Sequence, residues 1–222
     1  MLKFHTPAPV TAILDIPAGR IRLIAADRTD TTVEILPADP AKNRDVKAAE
    51  QITVTHTDGV LHIEAAPAKN RILGNSGSVE ITVQLPAGSH VRAKAAAGEL
   101  RGVGRLGDVT YEAAQGSVKL DESTNAHLTL QAGDLTLHRL TGPATITTQQ
   151  GDITVTEARH GTLDLRTTAG HITVTTAPGT RATLDAATTH GRIHNALVTT
   201  ADGPQVTIHA TTALGDITAR TL

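Results

Sequence analysis

Gln149-Gln150-Gly151-Asp152-Ile153-Thr154-Val155-Thr156 decides the fold, because it is one copy of a pattern that recurs through the second half of the chain. Earlier copies are Gly98-Glu99-Leu100, Gly116-Ser117-Val118-Lys119-Leu120 and Gly133-Asp134-Leu135-Thr136-Leu137. Later ones are Gly170-His171-Ile172-Thr173-Val174, Gly191-Arg192-Ile193-His194 and Gly215-Asp216-Ile217-Thr218-Ala219. The glycines are spaced by 18, 17, 18, 19, 21 and 24 residues. A near-constant period whose drift is confined to its end marks a stacked repeat.

Each period carries two short strands, one before the glycine and one after it. Ala144-Thr145-Ile146-Thr147-Thr148 precedes Gly151, and the corresponding segment of the next period is Thr162-Leu163-Asp164-Leu165-Arg166. Alternation puts Leu163, Leu165, Ile172 and Val174 on one face and Asp164, Arg166, His171 and Thr173 on the other. The apolar face points inward. This pattern predicts an all-β single-stranded β-helix, or β-solenoid, of about 18 residues per turn, with strands stacking in parallel on their counterparts. An antiparallel sandwich of short strands is the competing architecture. The late spacings imply insertions at turns near Ala177-Pro178-Gly179 and over 199–204.

Residues 1–90 are β-rich without a visible period and are expected to cap the repeats of 91–222, the two forming one continuous folded unit. Pro17-Ala18-Gly19 reads as a turn between strands over 10–16 and 20–26, and Pro86-Ala87-Gly88 repeats it. The two are expected to mark related units at either end of this region. Asp58-Gly59 between alternating runs predicts a hairpin. Residues 38–50 read as a loop with one helical turn, and 66–77 as the longest irregular and a mobile segment.

The chain of 222 residues has two aromatic residues of the Phe, Tyr and Trp class, Phe4 and Tyr111. The interior is therefore expected to be filled by Val, Ile, Leu, Ala and Thr, with Tyr111 pointing inward alongside Val109 and Ala113. Net charge is −2, from 20 basic and 22 acidic side chains without a basic stripe or an aromatic platform, which argues against nucleic-acid binding. Absence of cysteine removes disulfides, thiolate catalysis and Cys-ligated zinc. No window approaches the roughly 20 apolar residues of a membrane span. The first residues also lack a charged region followed by an apolar run and a cleavage site, so the expected location is cytoplasmic.

Eleven histidines raise a metal hypothesis, which their spacing does not support, so no metal ligand, cofactor-binding residue or cofactor is assigned. His190 and His194 straddle Gly191 in β context, and stacking could bring His138 or His171 near neighbours. The residue after each glycine runs Glu99, Ser117, Asp134, Asp152, His171, Arg192 and Asp216. Asp134 and Asp152 are expected one layer apart, with His171 and then Arg192 continuing the column. Such a carboxylate pair could hold Ca²⁺, but side-chain-to-backbone hydrogen bonding explains Asp at turns without it. For glycan cleavage, which needs paired carboxylates, Arg166 with Asp164 and Arg192 with His190 and His194 are the candidates, and none is assigned as catalytic.

The register of Gly-Asp-Ile-Thr-Val copies resembles a bacterial domain-of-unknown-function family of β-strand-repeat proteins labelled putative adhesins. The opening Leu14-Asp15-Ile16-Pro17-Ala18-Gly19 and the closing Gly215-Asp216-Ile217-Thr218-Ala219-Arg220 join it, and the likeness is to a cytosolic actinobacterial branch. The resemblance covers essentially the whole chain, implies a single-stranded β-helix-like fold and carries no enzymatic activity or functional residues. The function expected is a non-enzymatic cytosolic scaffold or protein-interaction module with an unknown protein partner. A carbohydrate-active or metal-dependent enzyme on a parallel β-helix is the alternative. Only Ala219-Arg220-Thr221-Leu222 follows the last motif, so the turn from Gly203 to Leu222 is expected to be an open end available for homo-oligomer formation or folded against the cap.

Overall fold

Alternation of β-branched and polar residues yields strands over most of the chain. The computed structural model describes residues 1–65, 77–198 and 200–222. Strands β1 (Leu2–His5), β2 (Thr11–Ala26) and β3 (Asp30–Pro37) precede helix α1 (Asn43–Glu50). Then come β4 (Ile52–Thr57), β5 (Val60–Ala65), β6 (Val79–Pro86), β7 (His90–Gln115) and β8 (Val118–Ala132). The repeats continue as β9 (Leu135–Leu140), β10 (Ala144–Gln150), β11 (Ile153–Ala158), β12 (Gly161–Ala169) and β13 (Ile172–Thr176). The last four are β14 (Arg181–His190), β15 (Ile193–Ala196), β16 (Gln205–Leu214) and β17 (Ile217–Thr221). The architecture is all-β and solenoid-like.

The repeat strands pair in parallel. Leu135 lies against Ile153, and Ile153 against Ile172. The antiparallel alternative is thereby excluded for these strands. One interior row follows from the registers: Ile81, Ile21, Leu100, Val118, Leu135, Ile153, Ile172, Ile217 and Ile193. All but Ile193 are buried. Burying such a side chain contributes about 1.5–3 kcal/mol, so the row is a major part of the core. Tyr111 points inward as expected and is fully buried, its hydroxyl donating to the Gly98 carbonyl at 2.9 Å. Burial pushes its phenol up to about 12.

Stacking order departs from chain order at both ends. β16 pairs with both β12 and β14, and β17 with both β13 and β15. The C-terminal turn therefore lies inside the stack, and β14–β15 forms its outer layer. This corrects the expectation of an open end from Gly203 to Leu222, since Ile217 is fully buried and Ile193 is 46% exposed. Inward positions explain the exchange. β16 offers Val206, Ile208, Ala210 and Thr212 where β14 offers Ala182, Leu184, Ala186 and Thr188. At the position that Ala219 fills in β17, β15 carries Asn195. Burying that amide between two layers without partners would cost several kcal/mol, roughly 2–7 by transfer. The more apolar turn takes the inside.

The second strand behaves likewise. β2 pairs in parallel with β5 and β6 on one side and with β7 on the other. Residues 1–90 thus contribute β2, β5 and β6 to the parallel array. Antiparallel β1 on β3, β3 on β6 and β4 on β5 then cover that end. The two Pro-Ala-Gly segments meet different parts of β2: Gly19 is paired with Val79 and Gly98, whereas Pro86 is paired with Ala26. Pro17-Ala18-Gly19 is a corner inside β2 and does not break the strand: β7 holds Ala18 and Gly19 in register with Ala97 and Gly98, and the buried positions shift from Ala12, Leu14 and Ile16 to Ile21 and Leu23 across it. Pro86-Ala87-Gly88 does turn. The Asp58-Gly59 hairpin forms, with both residues at positive φ (51° and 76°), as a type I′ turn requires. The helical turn expected within 38–50 is an eight-residue helix, tied down by buried Asp45, which accepts the Ser78 N–H at 3.0 Å. The mobility expected of 66–77 concerns a segment of which 66–76 lie outside the described residues.

Between the two strands of each turn the glycines stack in a column. A Cβ on Gly133 would sit 1.5 Å from the Gly116 carbonyl oxygen, and one on Gly151 would sit 2.2 Å from that of Gly133. Both glycines also have φ near 135°, at 136° and 135°. An inward threonine row locks the column from inside, with Thr167 donating to the Gly151 carbonyl, Thr212 to that of Gly170 and half-buried Thr188 to that of Gly215. Gly133→Ala should therefore cost roughly 3 kcal/mol or more, because the obstacle is backbone. Gly179, at φ 76° with open space around it, should accept Asn for less than about 1 kcal/mol. Chemical denaturation of the two variants measures the difference, and equal losses would rule out the stacked column.

Candidate functional site

Outward side chains occupy rows that run across the layers, and most of these rows are used by the stack itself. In the row after the glycines, the Asp152 N–H donates to Asp134 Oδ1 at 2.9 Å and the His171 N–H to Asp152 Oδ1 at 2.7 Å. The Asp216 N–H then donates to His171 Nδ1 at 3.0 Å, and the Arg192 N–H to Asp216 Oδ1 at 2.8 Å. Each side chain thus caps the backbone of the next layer, the role that short polar residues play at turns. The column expected from Asp134 through Asp152 and His171 to Arg192 exists, but Asp216 stands between His171 and Arg192 because the C-terminal turn is tucked inside. Among the described residues no three His, Asp or Glu side chains are grouped to hold a metal ion.

The other candidates do not converge. Asp164 lies between Thr145 and His209, and Arg166 lies between Thr147 and Thr211. His190 and His194 are both exposed on the outer layer. Sequence spacing missed one grouping: His209 lies across from both Asp164 and Asp185, with its Nδ1 3.5 Å from Asp185 Oδ2. Only the inserted position of β16 brings them together.

Charged rows mostly alternate in sign. Arg20 bridges Glu80 at 3.3 Å and Glu99 at 3.1 Å. Arg139 bridges Glu122 at 3.3 Å and Glu157 at 2.9 Å, and Arg159 also reaches Glu157, at 2.7 Å. Burial alone would raise the Glu157 carboxyl, but the hydrogen bonds from Arg139 and Arg159 outweigh it and hold the group below its ordinary value. The hydrogen bond to Glu157 raises Arg139 in turn.

One row carries three cations in succession. Arg22 lies opposite Arg101, and Arg101 opposite Lys119, in three successive layers. All three are exposed and line a groove of about 320 Å³, together with Arg20, Glu80 and Glu99. Arg101 reaches Asp121 at 3.0 Å, whereas Arg22 and Lys119 have no ion-pair partner among the described residues. Reading 1–90 apart from the repeats hid this row, because Arg22 joins it only when β2 stacks on β7.

The Toastrack DUF4097 family model matches residues 14–221. The chain belongs to the Toastrack family. No curated protein matches it. Among solved structures, this Toastrack chain is similar to a putative adhesin from Bacteroides fragilis NCTC 9343, at 14% identity and a TM-score of 0.48, covering 98% of this chain and 95% of the other. A putative cell adhesion protein from Clostridium sporogenes ATCC 15579 is 12% identical with a TM-score of 0.40, over 100% and 98% of the two chains. A putative lipid binding protein from Parabacteroides distasonis ATCC 8503 is 12% identical with a TM-score of 0.46, over 98% and 95%. None of these three names describes an enzyme.

Proposed function

We propose that this Toastrack chain is a non-enzymatic scaffold or protein-interaction module, built as a single-stranded β-solenoid of about 18 residues per turn. The turn length is supported by registers such as Leu135 with Ile153. The observation that carries the functional reading is the row Asp134, Asp152, His171 and Asp216. These side chains could otherwise serve acid–base or metal chemistry, and each accepts a backbone N–H from the neighbouring layer. An acceptor committed to the backbone is poorly placed to shuttle protons, which requires access to a substrate. Their chemistry serves the stack. The alternative, a carbohydrate-active or metal-dependent enzyme, predicts stoichiometric metal or a selective glycan ligand. Mass-spectrometric metal analysis and a glycan array on the purified chain should find neither, and either finding would replace the scaffold reading.

Self-association belongs to the same reading, through the outer layer β14–β15 and not the C-terminal turn. Support comes from the 46% exposure of Ile193, the outermost member of the interior row. Ile193→Lys should leave the fold intact, while Ile217→Lys should unfold it. Light scattering at micromolar concentration should show a species larger than the 23.1 kDa chain, reduced to monomer by Ile193→Lys. A wild type that stays monomeric would remove this part of the proposal.

A further inference from the structure

The row Arg22–Arg101–Lys119 sets three cations in succession. Like charges directly opposite on paired strands are destabilising. Elsewhere the chain sets opposite charges beside one another, as with Arg139 between Glu122 and Glu157. Next to this row, and in the same layers, Arg20 is held between Glu80 and Glu99. The same strands therefore show both arrangements side by side, one neutralised and one not. Beyond Lys119 the row continues as Thr136, Thr154, Thr173 and Thr218, which are uncharged. The excess positive charge is confined to three neighbouring layers at one end.

We propose that this row is a docking site for an acidic, carboxylate-rich segment of a protein partner. The inference deepens the scaffold reading and rests on it. Carboxylates fit because the groove already shows how they bind: Glu80 and Glu99 reach Arg20 from the two adjoining layers. A partner carboxylate set between Arg22 and Arg101, or between Arg101 and Lys119, repeats that geometry. Two neighbouring guanidiniums also present forked donors suited to bidentate carboxylate contacts. A glycan is the poorer fit, because Phe4 and Tyr111 are the only aromatic residues of their class and Tyr111 is buried, so the groove has no ring on which a sugar could stack. Asp121 competes for Arg101 at 3.0 Å in the free protein, and the partner segment displaces or shares that contact.

The test titrates the full chain with a short fluorescent oligo-glutamate peptide, beside oligo-lysine, polyphosphate and an oligouronate. Oligo-glutamate should bind with an affinity that falls as salt rises. The double substitution Arg22→Glu with Lys119→Glu should weaken it roughly tenfold or more, with unchanged thermal melting. Arg166→Glu, a charge reversal on another strand, should leave binding unaltered. Lys119→Met serves as the second variant should the double one melt early, and it should weaken binding in the same direction. Failure of oligo-glutamate to bind, or equal binding by the charge-reversed variant, overturns the site. Tighter binding of polyphosphate or oligouronate than of oligo-glutamate overturns the assigned partner class. None of these outcomes affects the scaffold reading, which falls on stoichiometric metal or a selective hit on the glycan array.

Discussion

Close contact between successive glycine corners is the constraint on which the rest of the structure depends. With the Gly133 carbonyl 2.2 Å from where a Cβ of Gly151 would be, the backbone of each layer fits against the last only without a side chain. That contact sets the register. Once Gly151 follows Gly133, Ile153 lies against Leu135 and Thr154 against Thr136, so apolar rows fall inside and polar rows outside without further specification. Threonines on the inward face then satisfy glycine carbonyls that would otherwise be buried beside apolar neighbours, as Thr167 does for Gly151. Small aliphatic and β-branched residues suffice for a core this narrow, which accounts for the near-absence of aromatics.

Stacking in register also turns every outward residue into a member of a row, and the chemistry of a row follows from its alternation. Where signs alternate, the row stabilises the layers modestly, since exposed pairs contribute about 0–1 kcal/mol each. Where Asp or His follows the glycine, the row becomes a ladder of side-chain-to-backbone hydrogen bonds. A row of three cations does neither for the fold. The contrast between the Arg20 row and the Arg22 row, on the same strands, separates charge used internally from charge left available.

Much of the architecture was legible in the chain. The glycine period, the strict alternation around Ile153 and Ile172 and the Asp58-Gly59 hairpin all depend on local residues, and the structure contains each of them. Tyr111 pointed inward for the same reason. What could not be read was the order of layers at the two ends. Local pattern says that β14–β15 and β16–β17 are both turns, and only their competition for buried positions puts Ala219 inside and Asn195 outside. Likewise, nothing local to Thr11–Ala26 says that it lies between β6 and β7, which hides the Arg22 row, and the inserted position of β16 hides the Asp164–His209–Asp185 grouping. The ladder after the glycines is half legible: its members follow from the period, but chain order puts Asp216 last, whereas the stack puts it between His171 and Arg192.

The exchange of the last two turns is the most specific consequence of this account, since it sets burial against proximity to the terminus. Native-state amide hydrogen exchange reads it directly. Ile172 and Ile217 donate their N–H groups to Asp216 and Arg192 carbonyls, so the C-terminal strand is hydrogen-bonded on both sides. The account predicts that amides of 205–219 are protected to nearly the same degree as those of 161–176, while those of 193–196 exchange much earlier. Fast exchange across 217–221 combined with strong protection of 193–196 would contradict it.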